Sequence, residues 1–279
     1  MRDRSVLITA TPALRRLAGK TGGYQPRWFD GWDDLAEAME TAPPSVTVLA
    51  DAYLGAAPGA GPSPRLRAVL ERRPSIPLVA ALPLLRETAR DADTVAAWGA
   101  SQVLDLALEP GAWLVQSRLR AARARPLKRR MEETLKHASE NARNLARAAA
   151  EVVVEGGGAP ELAALFRADP RTVAAWCGRE GLPAPRRLLA WTRVLLAAML
   201  LGEEGRSVVN SARGAGYATD HALRRAMREL VGGDPATVPR KELFARAAER
   251  FTAELFGLRE DARERRRPLP GSRTGALFG

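Results

Sequence analysis

Five short apolar runs, each followed by a helix-length segment or a charged one, fill the first 110 residues. They read SVLITA (5–10), YQPRWF (24–29), SVTVLA (45–50), IPLVAAL (76–82) and QVLDLAL (102–108). Continuous apolar runs mark strands covered on both faces, and YQPRWF is the weakest of the five. Between them the sequence predicts helices from Pro12 to about Gly19 and over 32–42, 64–73 and 86–100. Strand and helix alternating at this pitch imply an α/β domain with a five-stranded parallel sheet.

The 279 residues suit one large domain or two ordinary ones, and 46% hydrophobic residues allow real cores. The charge is uneven. Residues 1–122 carry 14 basic and 13 acidic groups, residues 123–158 carry 8 and 5, and residues 159–279 carry 21 and 14. The basic excess therefore lies in the C-terminal part, which points to a polyanionic partner there. Of the 43 basic residues 39 are arginine, whose planar fork suits phosphate and guanine. A single cysteine, Cys177, excludes an intrachain disulfide. The opening MRDRSVLITATP has too short an apolar run for a secretory signal, and VLLAAMLL (194–201) is too short for a membrane span. A cytoplasmic protein without a membrane partner is expected.

Five β-α units of this spacing resemble the receiver domain of response regulators, a flavodoxin-like fold. Asp51 follows the third strand, where receivers carry a phosphoacceptor. The rest of that chemistry is missing. Thr9, Ala10 and Thr11 stand where an acidic pair would hold Mg²⁺. Ala80 and Ala81 stand where Ser or Thr follows strand four, and LDLALEP brings no Lys after strand five. Phosphoryl transfer needs a cation against the developing charge, and one Asp does not hold it. The resemblance thus implies a degenerate receiver, used for association or sensing, with Asp51 as a loop or capping residue.

Residues 110–155 read as one long helical stretch with a kink or break at Pro126. Met131, Leu135, Ala138, Ala142, Leu145, Ala149 and Val152 recur in steps of four and three, a heptad seam. Two readings stay open: helix 127–153 pairs two chains as a homodimer, or the seam packs on its own domain. EGGGAP (155–160) ends the helix. The expected organisation is an α/β domain over 1–122, a helical linker over 123–158, an all-α domain over 159–240, and a tail over 241–279. That tail begins helical and ends as a basic segment expected to be disordered.

Within 159–240 the pattern is helix, turn, helix, with Asp169 as an N-cap and Pro170 in the first turn. A long apolar helix (185–201) follows, then a second helix-turn-helix over SVVNSARGAGY (207–217) and ATDHALRRAMRELVG (218–232). In the second unit Ser207-Val208, Ala212, Gly216-Tyr217, Ala218-Thr219-Asp220-His221, Arg225-Ala226-Met227 and Gly232-Gly233-Asp234-Pro235 follow one another at set spacings, and Arg193 precedes the apolar run. This ordered set resembles the DNA-binding domain of the AraC/XylS family of transcription regulators over about 80 residues. The resemblance implies double-stranded DNA as partner. It makes Asp220, His221 and Arg224 candidates for base edges, and Arg225 and Arg228 candidates for phosphate or a neighbouring helix.

On helix 218–232 the polar residues Thr219, Asp220, His221, Arg224, Arg225 and Arg228 oppose an inward stripe of Ala222, Leu223, Ala226, Met227 and Leu230. Asp220 suits phosphates poorly unless it accepts from cytosine or braces an Arg. In the first unit Arg171, Thr172 and Arg179 remain, beside Ala174 and Ala175 where the family often has Ser and Arg. Trp176, Cys177 and Trp191 read as core. His137 and His221 stand far apart, so no metal site and no cofactor is expected. An enzyme finds little support: no glycine-rich phosphate loop follows strand one, and residues 1–122 hold no His. The alternative is an α/β protein that binds a partner or small ligand and whose helix-turn-helix region does not read DNA.

Overall fold

The computed structural model describes residues 5–42, 46–57, 59–203 and 205–266, without the side chains of 41 and 261–266. The basic end of the tail, 267–279, lies outside the described residues, so its expected disorder does too. Strands β1 (Ser5–Thr9), β2 (Gln25–Phe29), β3 (Thr47–Asp51), β4 (Leu78–Leu82) and β5 (Gln102–Asp105) form one parallel sheet in the order β2-β1-β3-β4-β5. This is the flavodoxin-like order of a doubly wound fold. Pro26 lies in β2, at the sheet edge, where a missing N–H costs least.

Period two divides the strands between two cores. Val6, Ile8, Leu49, Val79 and Ala81 face α1 (Pro12–Arg15) and the first half of α5 (Ala112–Thr134). Leu7, Val48, Ala50, Leu78 and Ala80 face α2 (Trp32–Thr41), α3 (Pro64–Arg72) and α4 (Ala89–Ala97).

The stretch 123–158 differs from the expected linker. Pro126 sits inside α5 without ending it. The helix stops at Thr134 and restarts at Glu140 as α6 (Glu140–Glu155), with the Ser139 hydroxyl accepting from the Ala142 N–H at 3.1 Å. Helix α6 ends at Gly156, whose φ of 83° is in the left-handed region glycine tolerates. The two helices pack together, with Lys128 paired to Glu151 and Arg147 to Glu132.

All the seam residues except Ala138 are buried, and all belong to one core with the C-terminal helices. Of the two readings left open, the structure takes packing within the chain. A two-chain seam would have to expose Met131, Leu135 and Leu145, each at most 4% exposed. Leu145→Ala is accordingly expected to cost about 2–5 kcal/mol in chemical denaturation. The oligomeric state in analytical ultracentrifugation should stay as it is. A loss of dimer at unchanged stability would restore the two-chain reading.

Among the described residues seven α-helices, α6 to α12, build the rest: α7 (Ala159–Leu165), α8 (Pro170–Arg179), α9 (Pro185–Leu201), α10 (Val208–Ala215), α11 (Asp220–Leu230) and α12 (Leu243–Arg266) follow α6. Twelve of the 17 residues of α9 are buried, so α9 is the axis on which the others pack. Arg187 on α9 grips Glu254 of α12 at 2.9 Å and Glu229 of α11 at 3.0 Å. The Trp191 indole N–H also donates to Glu254 at 2.9 Å.

The halves meet at the amino end of the sheet. The turn after α9 places Arg206 and Glu203 against the α/β domain. Arg206, 6% exposed, donates to the Ala42 carbonyl at 2.8 Å and pairs with Glu203 at 3.1 Å. Glu203 accepts from the Ser75 backbone and hydroxyl, and the Arg206 carbonyl accepts from Arg240 at 2.6 Å.

Candidate nucleic-acid interface

The second expected unit is the helix pair α10 and α11; it begins where Ser207 caps α10, its hydroxyl accepting from Asn210 N–H at 3.1 Å. Gly216 ends α10 at φ 90°, which lets Tyr217 N–H return to the Ala212 carbonyl at 2.9 Å. Burial raises the Tyr217 phenol to about 12, in keeping with an aromatic packed under the turn. Thr219 then caps α11, accepting from Ala222 N–H at 3.1 Å. The local signals Ser, Gly-Tyr and Thr therefore set the turn between the two helices.

Two stripes run along α11. Leu223, Met227 and Leu230 are buried against the core. His221, Arg225 and Arg228 are exposed at the same i, i+4, i+7 spacing, offset by two residues, which at 3.6 residues per turn is about 200° away. Among the described residues no carboxylate pairs with Arg225 or Arg228. Among the described residues neither the α/β domain nor another helix covers this stripe.

Arg224 is placed differently. Its Nη1 donates to Asp234 Oδ1 at 2.9 Å, and its Nε lies 3.6 Å from Asp220 Oδ2. The sequence made Arg224 and Asp220 candidates for base edges; in the structure they engage each other. Asp220 braces an Arg, one of the two roles that suit it. A bidentate guanine contact is worth about 1–3 kcal/mol and a charge-assisted hydrogen bond about 1.5–3 kcal/mol, so turning Arg224 to a base exchanges terms of equal size. Asp234 carries no motif signal beyond its place before Pro235, and sequence reasoning gave it no role.

The first unit exposes less chemistry. Asp169 caps α8, accepting from Arg171 N–H at 2.7 Å. Val173 and Cys177 are buried, and burial raises the Cys177 thiol to about 11. Trp176 stands edge-on to Phe166 at 5.8 Å and is partly buried. The outer face shows Arg171, Thr172, Ala174, Ala175, Gly178 and Arg179. Arg193 of α9 holds the break between α6 and α7, donating to the Gly157 carbonyl at 2.6 Å.

At the opposite, carboxyl end of the sheet Asp51 closes β3. Its N–H donates to the Thr9 hydroxyl at 2.8 Å, and its Oδ1 accepts from Tyr53 N–H at 2.9 Å. The Tyr53 hydroxyl donates to Asp91 at 2.7 Å, and burial, then the Asp91 contact, raises the phenol to about 12. Asp51 is thus held as a loop carboxylate, beside Thr9 and across from Ala81. Nearby, Leu84 N–H and Ala107 N–H both donate to Asp105 Oδ1 at 2.8 Å, which sets the two loops side by side. Leu84, Leu85, Leu108 and Trp113 are exposed on these loops and on the start of α5. Among the described residues no group of three His, Cys, Asp or Glu is arranged for a metal, and no helix is long and apolar enough to cross a membrane.

No protein-family model matches the chain and no curated protein is significantly similar to it. Among solved structures, full-length FixJ from B. japonicum is similar at 12% identity, covering 86% of this chain and 100% of that one with a TM-score of 0.36.

Proposed function

We propose that the chain is a sequence-specific regulator of transcription that binds double-stranded DNA in the AraC manner. The observation that carries this reading is the exposed stripe of His221, Arg225 and Arg228 on α11, set behind a capped pair of helices and uncovered by the described residues of the chain. A helix presented this way enters the major groove by its N-terminal end. The first unit, with Arg171 and Thr172 beside small residues, adds backbone contacts more than base readout. The basic excess of residues 159–279 supplies the attraction that does not depend on sequence.

The α/β domain serves association or sensing and receives no phosphoryl group. Its exposed Leu84, Leu85, Leu108 and Trp113 support association, since such side chains rarely gather on a free surface. Incubation with a small phosphoryl donor and Mg²⁺ is expected to leave the intact mass unchanged. A single added phosphate that disappears in Asp51→Asn would overturn that part.

The test of the whole reading is selection from a random duplex library with the intact chain. Enrichment of one motif is expected. Salt-sensitive retention without enrichment would reduce the function to backbone binding, and no retention would move it to binding of a partner or small ligand.

A further inference from the structure

We propose that Arg224 is a positioning residue: held between Asp220 and Asp234, it cancels the Asp220 carboxylate at the DNA-facing start of α11 and reads no base. This rests on the DNA-binding reading above. The first turn of a helix attracts phosphate through its free N–H groups and its dipole. Asp220 stands in that first turn and opposes the attraction. Arg224, one turn further on, brings a guanidinium within 3.6 Å of it.

Asp234 fixes that guanidinium from the far side, and is itself built in. Its Oδ1 also accepts from Ala236 N–H at 2.9 Å, and its carbonyl accepts from Thr237 N–H at 3.0 Å and Thr237 hydroxyl at 2.9 Å. The loop after α11 is therefore shaped to hold Arg224 in one place. The guanidinium reaches the two carboxylates through different nitrogens, Nε toward Asp220 and Nη1 toward Asp234, which a planar fork does with little loss of freedom. For Arg224 to reach a base, Asp220 would be left without its cation beside phosphates and Asp234 without its ion-pair partner. Arg225, the next residue, faces outward without that tie and is the arginine available to DNA.

The experiment measures affinity by fluorescence anisotropy for the enriched duplex and for a scrambled one. It uses the intact chain, Arg224→Ala, Asp220→Asn and the double variant Asp220→Asn/Arg224→Ala, with a thermal melt of each. Arg224→Ala is expected to weaken both duplexes by a similar factor, about tenfold for one uncompensated charge near phosphates. The double variant is expected to regain most of it, because the charge that needed cancelling is gone. A preference changed at one base position in Arg224→Ala, with no recovery in the double variant, would make Arg224 a base reader and overturn the proposal. Loss without recovery and with a lowered melting point would make it a scaffold residue and overturn it equally. Failure of the intact chain to bind either duplex is visible before any variant is compared, and removes the DNA-binding reading and this proposal together.

Discussion

A chain with Arg225→Ala and Arg228→Ala is expected to lose binding to the enriched duplex by on the order of a hundredfold, from two charged contacts of about 1.5 kcal/mol each. The two guanidinium groups are exposed and have no partner carboxylate among the described residues, so the whole loss falls on the partner. Each phosphate contact contributes about 0.9 to the slope of log affinity against log salt, and the double variant should be shallower by about 1.8. Stability should stay within about 0.5 kcal/mol, because the substitution is on a solvent face and alanine favours the helix. An unchanged slope at unchanged stability would put the DNA contact elsewhere on the chain. A much lower melting point would mean that the stripe carries a packing role its exposure does not suggest.

The second large effect is at the joint between the halves. Arg206→Ala leaves the Glu203 side chain, 8% exposed, without its cation, and leaves the Ala42 carbonyl without its donor. Removing one partner of a buried pair costs about 3–5 kcal/mol, mostly from the charge left behind. At about 2–4 °C per kcal/mol for a chain of this size, a fall of about 10 °C in melting temperature is expected by circular dichroism. Glu203→Gln in the same chain should recover part of it, since a neutral amide is cheaper to bury and its oxygen still accepts from Ser75. A melting point within a degree of the unchanged protein would mean that this joint opens freely in solution.

The sheet was legible because each strand answers to its own residues. Val6 to Ile8, Val48 to Ala50 and Leu78 to Leu82 are apolar on both faces, and that pattern needs no distant information. Asp169 was legible as a cap for the same reason: a cap is a bond to a backbone N–H two or three residues on. Ser207 and Thr219 make the same kind of bond, but the sequence was read there for its resemblance and its polar face, not for caps. The break after Thr134 had such a signal in Ser139, which the heptad steps masked, since a seam that packs in a hairpin has the same period as one that pairs chains. Pro126 shows the reverse: a strong local breaker overridden because α5 is buried on both sides of it.

What the sequence hid was pairing at a distance. Glu203 meets Ser75 across 128 residues, and Arg224 meets Asp234 through a loop whose turn shape decides the contact. Periodicity assigns a residue to a face but not to a partner. The helix pattern gave Arg224 and Arg225 the same polar signature, and the resemblance alone made Arg224 a base-edge candidate.

Helix α5 gives Val115, Leu119 and Ala122 to the sheet, and Ala124, Leu127 and Met131 to the helical core, along one unbroken rod. A rod rooted in both cores makes their folding one event. Neither half completes itself until the same 23 residues are helical, and neither melts without fraying the helix the other depends on. In native-state hydrogen exchange the amides on both sides of Pro126 should therefore open with one free energy, that of the whole chain. A cut at residue 122 would not separate two modules but would split the element they share.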